Sequence, residues 1–192
     1  LAGLIGRTPR EAFDTFHAHI SGLLNRNVTD ARLSLIHPEK RQTRASIDFR
    51  KNNEPIAAPL FKAGVFLCIG QTLEVEQQQD KTWKLRTTQY RYRIQASADP
   101  GDNLCLRWEY VSRKIRDKQF CRNHFQTPLM FNLGQQRISL EDVHLPTGWV
   151  TIEEIIRFLI MEVGVRSKQN DWDDDLQKSE KKFKEWTGRE LG

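Results

Sequence analysis

Hydrophobic and polar positions follow two different periods along this 192-residue chain. Near the start the period is helical. Phe13, Phe16, Ile20, Leu23 and Leu24 recur three and four apart, which predicts a helix over Pro9–Asn25 with Thr8 as N-cap and Pro9 in its first turn. From Arg32 the period shortens to two. Strands are expected at Arg32–His37, Arg44–Phe49 and Ala63–Gln77, the last alternating Leu73 and Val75 with Thr72, Glu74 and Glu76. Pro55 and Pro59 reduce the run over 55–61 to an edge strand or extended loop. A turn at Gln78–Lys81 leads into Trp83–Ser97, and Asp99-Pro100-Gly101-Asp102 leads into Leu104–Ser112. A further strand is expected at Gln119–Gln126. The stretch Thr127–Arg137 reads as loop, turning at Asn132-Leu133-Gly134, and Ile138–Leu145 as a strand closing the sheet.

The helical period then returns. Thr151 and Glu154 form the spacing of a capping box ahead of Ile152, Ile155, Ile156, Leu159, Ile160 and Val163, and Gly164 stops the helix. A last helix, about Trp172–Thr187, carries a narrow stripe of Trp172, Leu176, Ser179, Phe183 and Trp186, suited to a domain edge or a partner helix. Connections are short and no βαβ rhythm appears. The expected fold is therefore α+β, a single domain over 1–192. It comprises an N-terminal helix within 1–30, a twisted antiparallel meander over 31–145, and two C-terminal helices over 150–190 packed on one face and edge.

Three of these strands carry the chemistry. Arg91 and Arg93, Arg107 and Glu109, and Arg122 and His124 occupy one parity. Tyr90, Tyr92, Ile94, Leu106, Trp108, Tyr110 and Phe125 occupy the other and read as core. A meander in suitable register would place the six polar residues on one sheet face. Charge strengthens the pattern. Residues 80–122 hold 11 basic and 5 acidic side chains, more excess than the whole chain's net +5, because residues 123–162 hold 2 and 5. Such a patch suits an anionic partner, nucleic acid above all. Charged residues at 29% and a mean hydropathy of −0.64 describe a well-wetted protein with no apolar run near the roughly 20 residues of a membrane helix. A cytoplasmic protein without membrane contact is expected.

Several other chemistries lack their signatures. There is no P-loop, no GxGxxG after a strand, no GxSxG, no HExxH and no EF-hand loop. Cys68, Cys105 and Cys121 form no CxxC pair and read as free thiols packed as small hydrophobes. His17 and His19, two residues apart on a helix, point about 200° apart and cannot chelate one ion, so they read as solvent-facing or capping. No metal or cofactor is expected. Phosphodiester cleavage without metal needs proton transfer and cations, which His124, Glu109, Arg107 and Arg122 could supply, with His144 as a second proton-transfer group. Arg91, Arg93, Arg113, Lys114 and Arg116 would contact the phosphate backbone. The same residues would equally form a cross-strand ion-pair ladder on a solvated face, with Arg113–Lys118 as a charged hairpin tip.

The succession of YRYRI, RWEYV, RNHF and the capped TIEEIIRFLI, over about residues 82–163, resembles the TumE-like toxins of bacterial toxin–antitoxin modules. That resemblance implies a compact α+β protein acting on RNA or translation and neutralised by an antitoxin. Two functions follow as expectations. One is a toxin-like or anti-phage-defence protein acting on RNA, in one form a metal-independent ribonuclease. The other is a non-catalytic nucleic-acid- or protein-binding subunit of a bacterial regulatory or defence complex. A protein partner, antitoxin or defence-complex subunit, would use the N-terminal region or the last helix.

Overall fold

A computed structural model describes residues 5–37, 43–102, 105–112, 121–140 and 143–187. In chain order the elements are β1 (Ile5–Gly6), α1 (Pro9–Asn27), β2 (Leu33–Ile36), β3 (Arg44–Lys51), β4 (Glu54–Pro55), β5 (Ala58–Pro59) and β6 (Phe66–Gln77). They continue with β7 (Trp83–Gln95), β8 (Cys105–Val111), β9 (Asn123–Gln126), β10 (Met130–Leu133), β11 (Gln136–Ser139), β12 (Leu145–Pro146), α2 (Ile152–Met161) and α3 (Trp172–Thr187). The α+β class, with a large antiparallel sheet, one N-terminal helix and two C-terminal helices, is as the sequence predicts.

The main path of the sheet runs β12-β9-β8-β7-β6-β3-β2, with β1, β4 and β5 pairing at its margins. One face is apolar. Ile47, Phe49, Leu67, Ile69, Leu73, Tyr90, Tyr92 and Ile94 join Phe13, Phe16, Ile20, Leu23 and Leu24 of α1 in a single buried cluster. Ile152, Ile155, Ile156 and Leu159 of α2 and Leu176 of α3 complete it. Each such side chain contributes about 1.5–3 kcal/mol of burial, an upper figure because unfolded chains are partly collapsed. All three helices feed this one cluster, so the opposite face is left to the alternate, polar positions. That division is usual for an antiparallel sheet.

A β-bulge sets which residues of β7 face which way. Thr72 of β6 pairs with Gln89, but the next residue, Leu73, pairs with Thr87, leaving Thr88 as the extra residue. Before the bulge Leu85 is buried at an odd position; after it Tyr90, Tyr92 and Ile94 are buried at even ones. The shift of one residue turns Arg91 and Arg93 onto the polar face.

Local chemistry explains the helix ends. Thr8 Oγ1 accepts from the Glu11 amide at 3.1 Å, and Thr151 and Glu154 form a reciprocal capping box. Gly6 is demanded by packing, since a Cβ there would lie 2.5 Å from the Ala12 nitrogen. Tyr90 Oη accepts from the Val150 amide at 2.9 Å, and Trp149 packs edge-on against Tyr90 and Tyr110. These contacts hold the segment leading into α2 against the sheet.

Some local expectations change. Residues 127–129 are irregular and the turn falls at Gly134 with φ 60°, as expected, but Met130–Leu133 and Gln136–Ser139 are not loop and pair as a separate hairpin. Leu129 and Met130 are exposed, so this hairpin shows little apolar alternation from which to read it. It also takes Ile138 and Ser139, and among the described residues of 138–146 it is Leu145–Pro146 that closes the sheet, against Phe125 and His124. His17 and His19 do diverge, but neither is solvent-facing. The His17 Nε2 lies 2.9 Å from the Leu33 carbonyl and the His19 Nε2 lies 2.7 Å from Ser179 Oγ, both part-buried. Cys121 is exposed and Cys68 sits on the polar face, donating to Gln95 Oε1 at 3.3 Å, so neither is a core thiol. Of the α3 stripe, Leu176 and Ser179 are buried and Trp172 packs partly buried against the core.

Candidate functional site

Strand register builds the site. Across the sheet, Asp48 of β3 stands opposite Gly70 of β6, Gly70 opposite Arg91 of β7, Arg91 opposite Glu109 of β8, and Glu109 opposite His124 of β9. The adjacent polar row runs Cys68, Arg93, Arg107, Gln126. Directly opposed residues on one face of an antiparallel pair are close enough for their side chains to interact.

Glu109 is the hub. Its Oε1 takes the Arg91 Nε in a short ion pair and has the Arg107 Nε at 3.7 Å, while Oε2 has the His124 Nε2 at 3.2 Å. The four side chains are unequally covered: His124 is 7% exposed, Glu109 16%, Arg107 27% and Arg91 52%. Arg91 is therefore the cation most open to a ligand. Arg107 also donates to Gln126 Oε1, but its own Nε makes no hydrogen bond. Such a donor in a buried position is costly unless something supplies an acceptor.

His124 is held from both sides. Its Nδ1 lies 3.1 Å from the Cys121 carbonyl and its Nε2 faces Glu109. An oxygen facing each ring nitrogen fixes the orientation of the imidazole and aims its Nε2 edge at the Glu109 carboxyl group. His144, just before β12, brings its ring to 4.6 Å from that of His124 at an interplanar angle of 64°. Its Nε2 is 3.3 Å from the Gln126 amide nitrogen. Arg107, Glu109, His124 and His144 are thus gathered as the sequence suggests, and Arg91 joins them.

Other expected residues lie elsewhere. Arg122 sits in the exposed bend before β9, where its carbonyl accepts from the Val111 amide at 3.1 Å, and it is not part of the Glu109 cluster. Arg93 turns away from Glu109, donating to the Pro100 carbonyl and toward Cys68 Sγ at 3.8 Å. Arg113, Lys114 and Arg116 lie outside the described residues. Gln126, which links Arg107 to His144, has no charge to draw notice; its shared parity with His124 was its only signal. Tyr90, Tyr92, Trp108 and Tyr110 pack with the core. Burial raises the Tyr90 phenol to about 12 and lifts the Tyr92 phenol well above its ordinary value, so both stay protonated anchors.

No family model, curated protein or solved structure matches the chain. Among the described residues no group of three or more His, Cys, Asp and Glu is arranged to hold a metal ion, and no helix is long and apolar enough to cross a membrane.

Proposed function

We propose that the protein acts on RNA through the polar face of its sheet, with Arg91 and Arg107 seating a backbone phosphate. The supporting observation is the Glu109 hub. It fixes two guanidinium groups side by side on one face, Arg91 about half-exposed and Arg107 partly exposed. A phosphate oxygen is the acceptor that geometry suits, because guanidinium forks bind phosphate through paired N–H donors. The likeness to TumE-like toxins supports RNA as the nucleic acid and an antitoxin as partner. Fluorescence anisotropy with labelled single-stranded RNA tests this. Arg91→Ala should weaken binding and reduce its salt dependence by about one phosphate contact. Salt-insensitive binding, or none, would refute it.

Metal-independent cleavage is the second reading, favoured by the contact between His124 and His144. His144, at the rim, would take the 2′-hydroxyl proton as that oxygen bonds to phosphorus. A proton carried on the His124 Nε2 would pass to the departing 5′-oxygen as its bond to phosphorus breaks. His124 and Glu109 must part for this step, because Glu109 occupies the Nε2. RNA incubated with wild type and with His144→Ala in the presence of EDTA decides the matter. Equal degradation, or none by either, rules cleavage out and leaves binding. Inducible expression adds a cellular test: wild type should slow growth and His124→Ala restore it.

A further inference from the structure

Gly70 occupies the middle of β6, in a row whose other members are Asp48, Arg91, Glu109 and His124. Nothing in the fold asks for glycine there. A Cβ at Gly70 would meet no atom within 4 Å, in contrast to Gly6, and Gly70 is not among the glycines with positive φ. Glycine inside a strand weakens it, and it often marks a place where a ligand approaches the backbone. Its missing side chain opens a hollow of about 190 Å³ directly beside Arg91. At roughly 30 Å³ per water that is room for about six waters, far more than an ion needs and comparable to one planar heterocycle.

The walls suit such a ring. Ser46, Thr72 and Gln89 line the hollow with two hydroxyls and an amide, and Asp48 adds a carboxylate. Arg50 holds that carboxylate in place through Nε at 2.8 Å and Nη2 at 3.2 Å. Donors and acceptors therefore ring a floor of partly buried peptide at Gly70. The Arg91 guanidinium, one strand over, can both stack on a base and reach its phosphate. We infer that the hollow over Gly70 is a nucleobase subsite. It takes one unstacked base of a single-stranded RNA whose adjoining phosphate lies on Arg91 and Arg107. The inference rests on the phosphate reading above and extends it from backbone contact to base contact.

A short oligoribonucleotide and the same oligomer with its central bases removed separate the two, measured by anisotropy at fixed low salt. Wild type should bind the base-bearing oligomer at least tenfold more tightly. Gly70→Val should lower that affinity to the abasic level and leave abasic binding unchanged. Valine favours strands and its Cβ enters open space, so its thermal midpoint should match or exceed that of wild type. Arg91→Ala should weaken both oligomers. If wild type binds both alike, or Gly70→Val keeps the base preference, the subsite is refuted while the phosphate seat stands. If wild type binds neither, both fail.

Discussion

Replacing Glu109 with glutamine should move stability and RNA affinity in opposite directions. The amide keeps the shape of the carboxylate but removes the charge that Arg91, Arg107 and His124 share. The Arg91 pair is half-exposed and counts for about 0–1 kcal/mol. The contacts to His124 and Arg107 are better covered, and a lost charge-assisted hydrogen bond there costs about 1.5–3 kcal/mol. Since Gln retains one acceptor, a net loss of about 2 kcal/mol is expected, or roughly 4–8 °C in thermal midpoint at this chain length. Affinity responds to the same charge with the other sign. A phosphate on Arg91 and Arg107 would lie about 6 Å from the carboxylate, and removing that repulsion is worth about 1–2 kcal/mol at an interfacial dielectric. RNA binding should tighten about five- to thirtyfold. Urea unfolding followed by tryptophan fluorescence reads the first effect and anisotropy the second. An unchanged midpoint would show that Glu109 is no hub. Binding weakened as much as by Arg91→Ala would show that the carboxylate organises the ligand rather than opposing it.

Three further outcomes are expected. Glu153 is buried and accepts from Ser179 Oγ at 2.5 Å, and burial raises its carboxyl above the ordinary range. Its contribution is full below the unfolded carboxylate pKa and is lost as pH rises through the folded value, so Glu153→Gln should raise the melting temperature at pH 7.5 and change it little at pH 4. Thr151→Ala removes the acceptor for the Glu154 amide and should cost about 1 kcal/mol, read as a lower urea midpoint with unchanged slope. Gly6→Ala pushes a methyl group against the Ala12 and Thr8 backbone and should cost about 1–3 kcal/mol by the same assay, whereas Gly70→Ala should be neutral or stabilising.

The apolar periods carried the architecture well. Helix α1 begins at Pro9 as its cap predicts, α2 carries the capping box written in Thr151 and Glu154, and the long strands pair as an antiparallel meander. The hairpin over 130–139 is not legible in the sequence because Met130 is exposed and β11 buries none of Gln136–Ser139, so among the described side chains no buried parity marks the strands. Arg122 was grouped with His124 on alternation alone, yet the regular strand starts one residue later, at Asn123. Arg93 shares parity with Arg91 but is drawn to the Pro100 carbonyl by the turn beside it. Parity assigns a face; it does not choose among partners on that face.

Residue order alone determined that Arg91, Arg107, Glu109 and His124 oppose the aromatic core positions, because alternation on a strand is a local geometric rule. Tertiary structure decided that Glu109 lies between Arg91 and His124, since register depends on turns and on the bulge at Thr88. It also brought in His144, held beside the sheet by packing of the Trp149–Val150 segment on Tyr90. The hollow beside Arg91 likewise appears only once Gly70 has neighbours, because an absent side chain leaves a space only where others surround it.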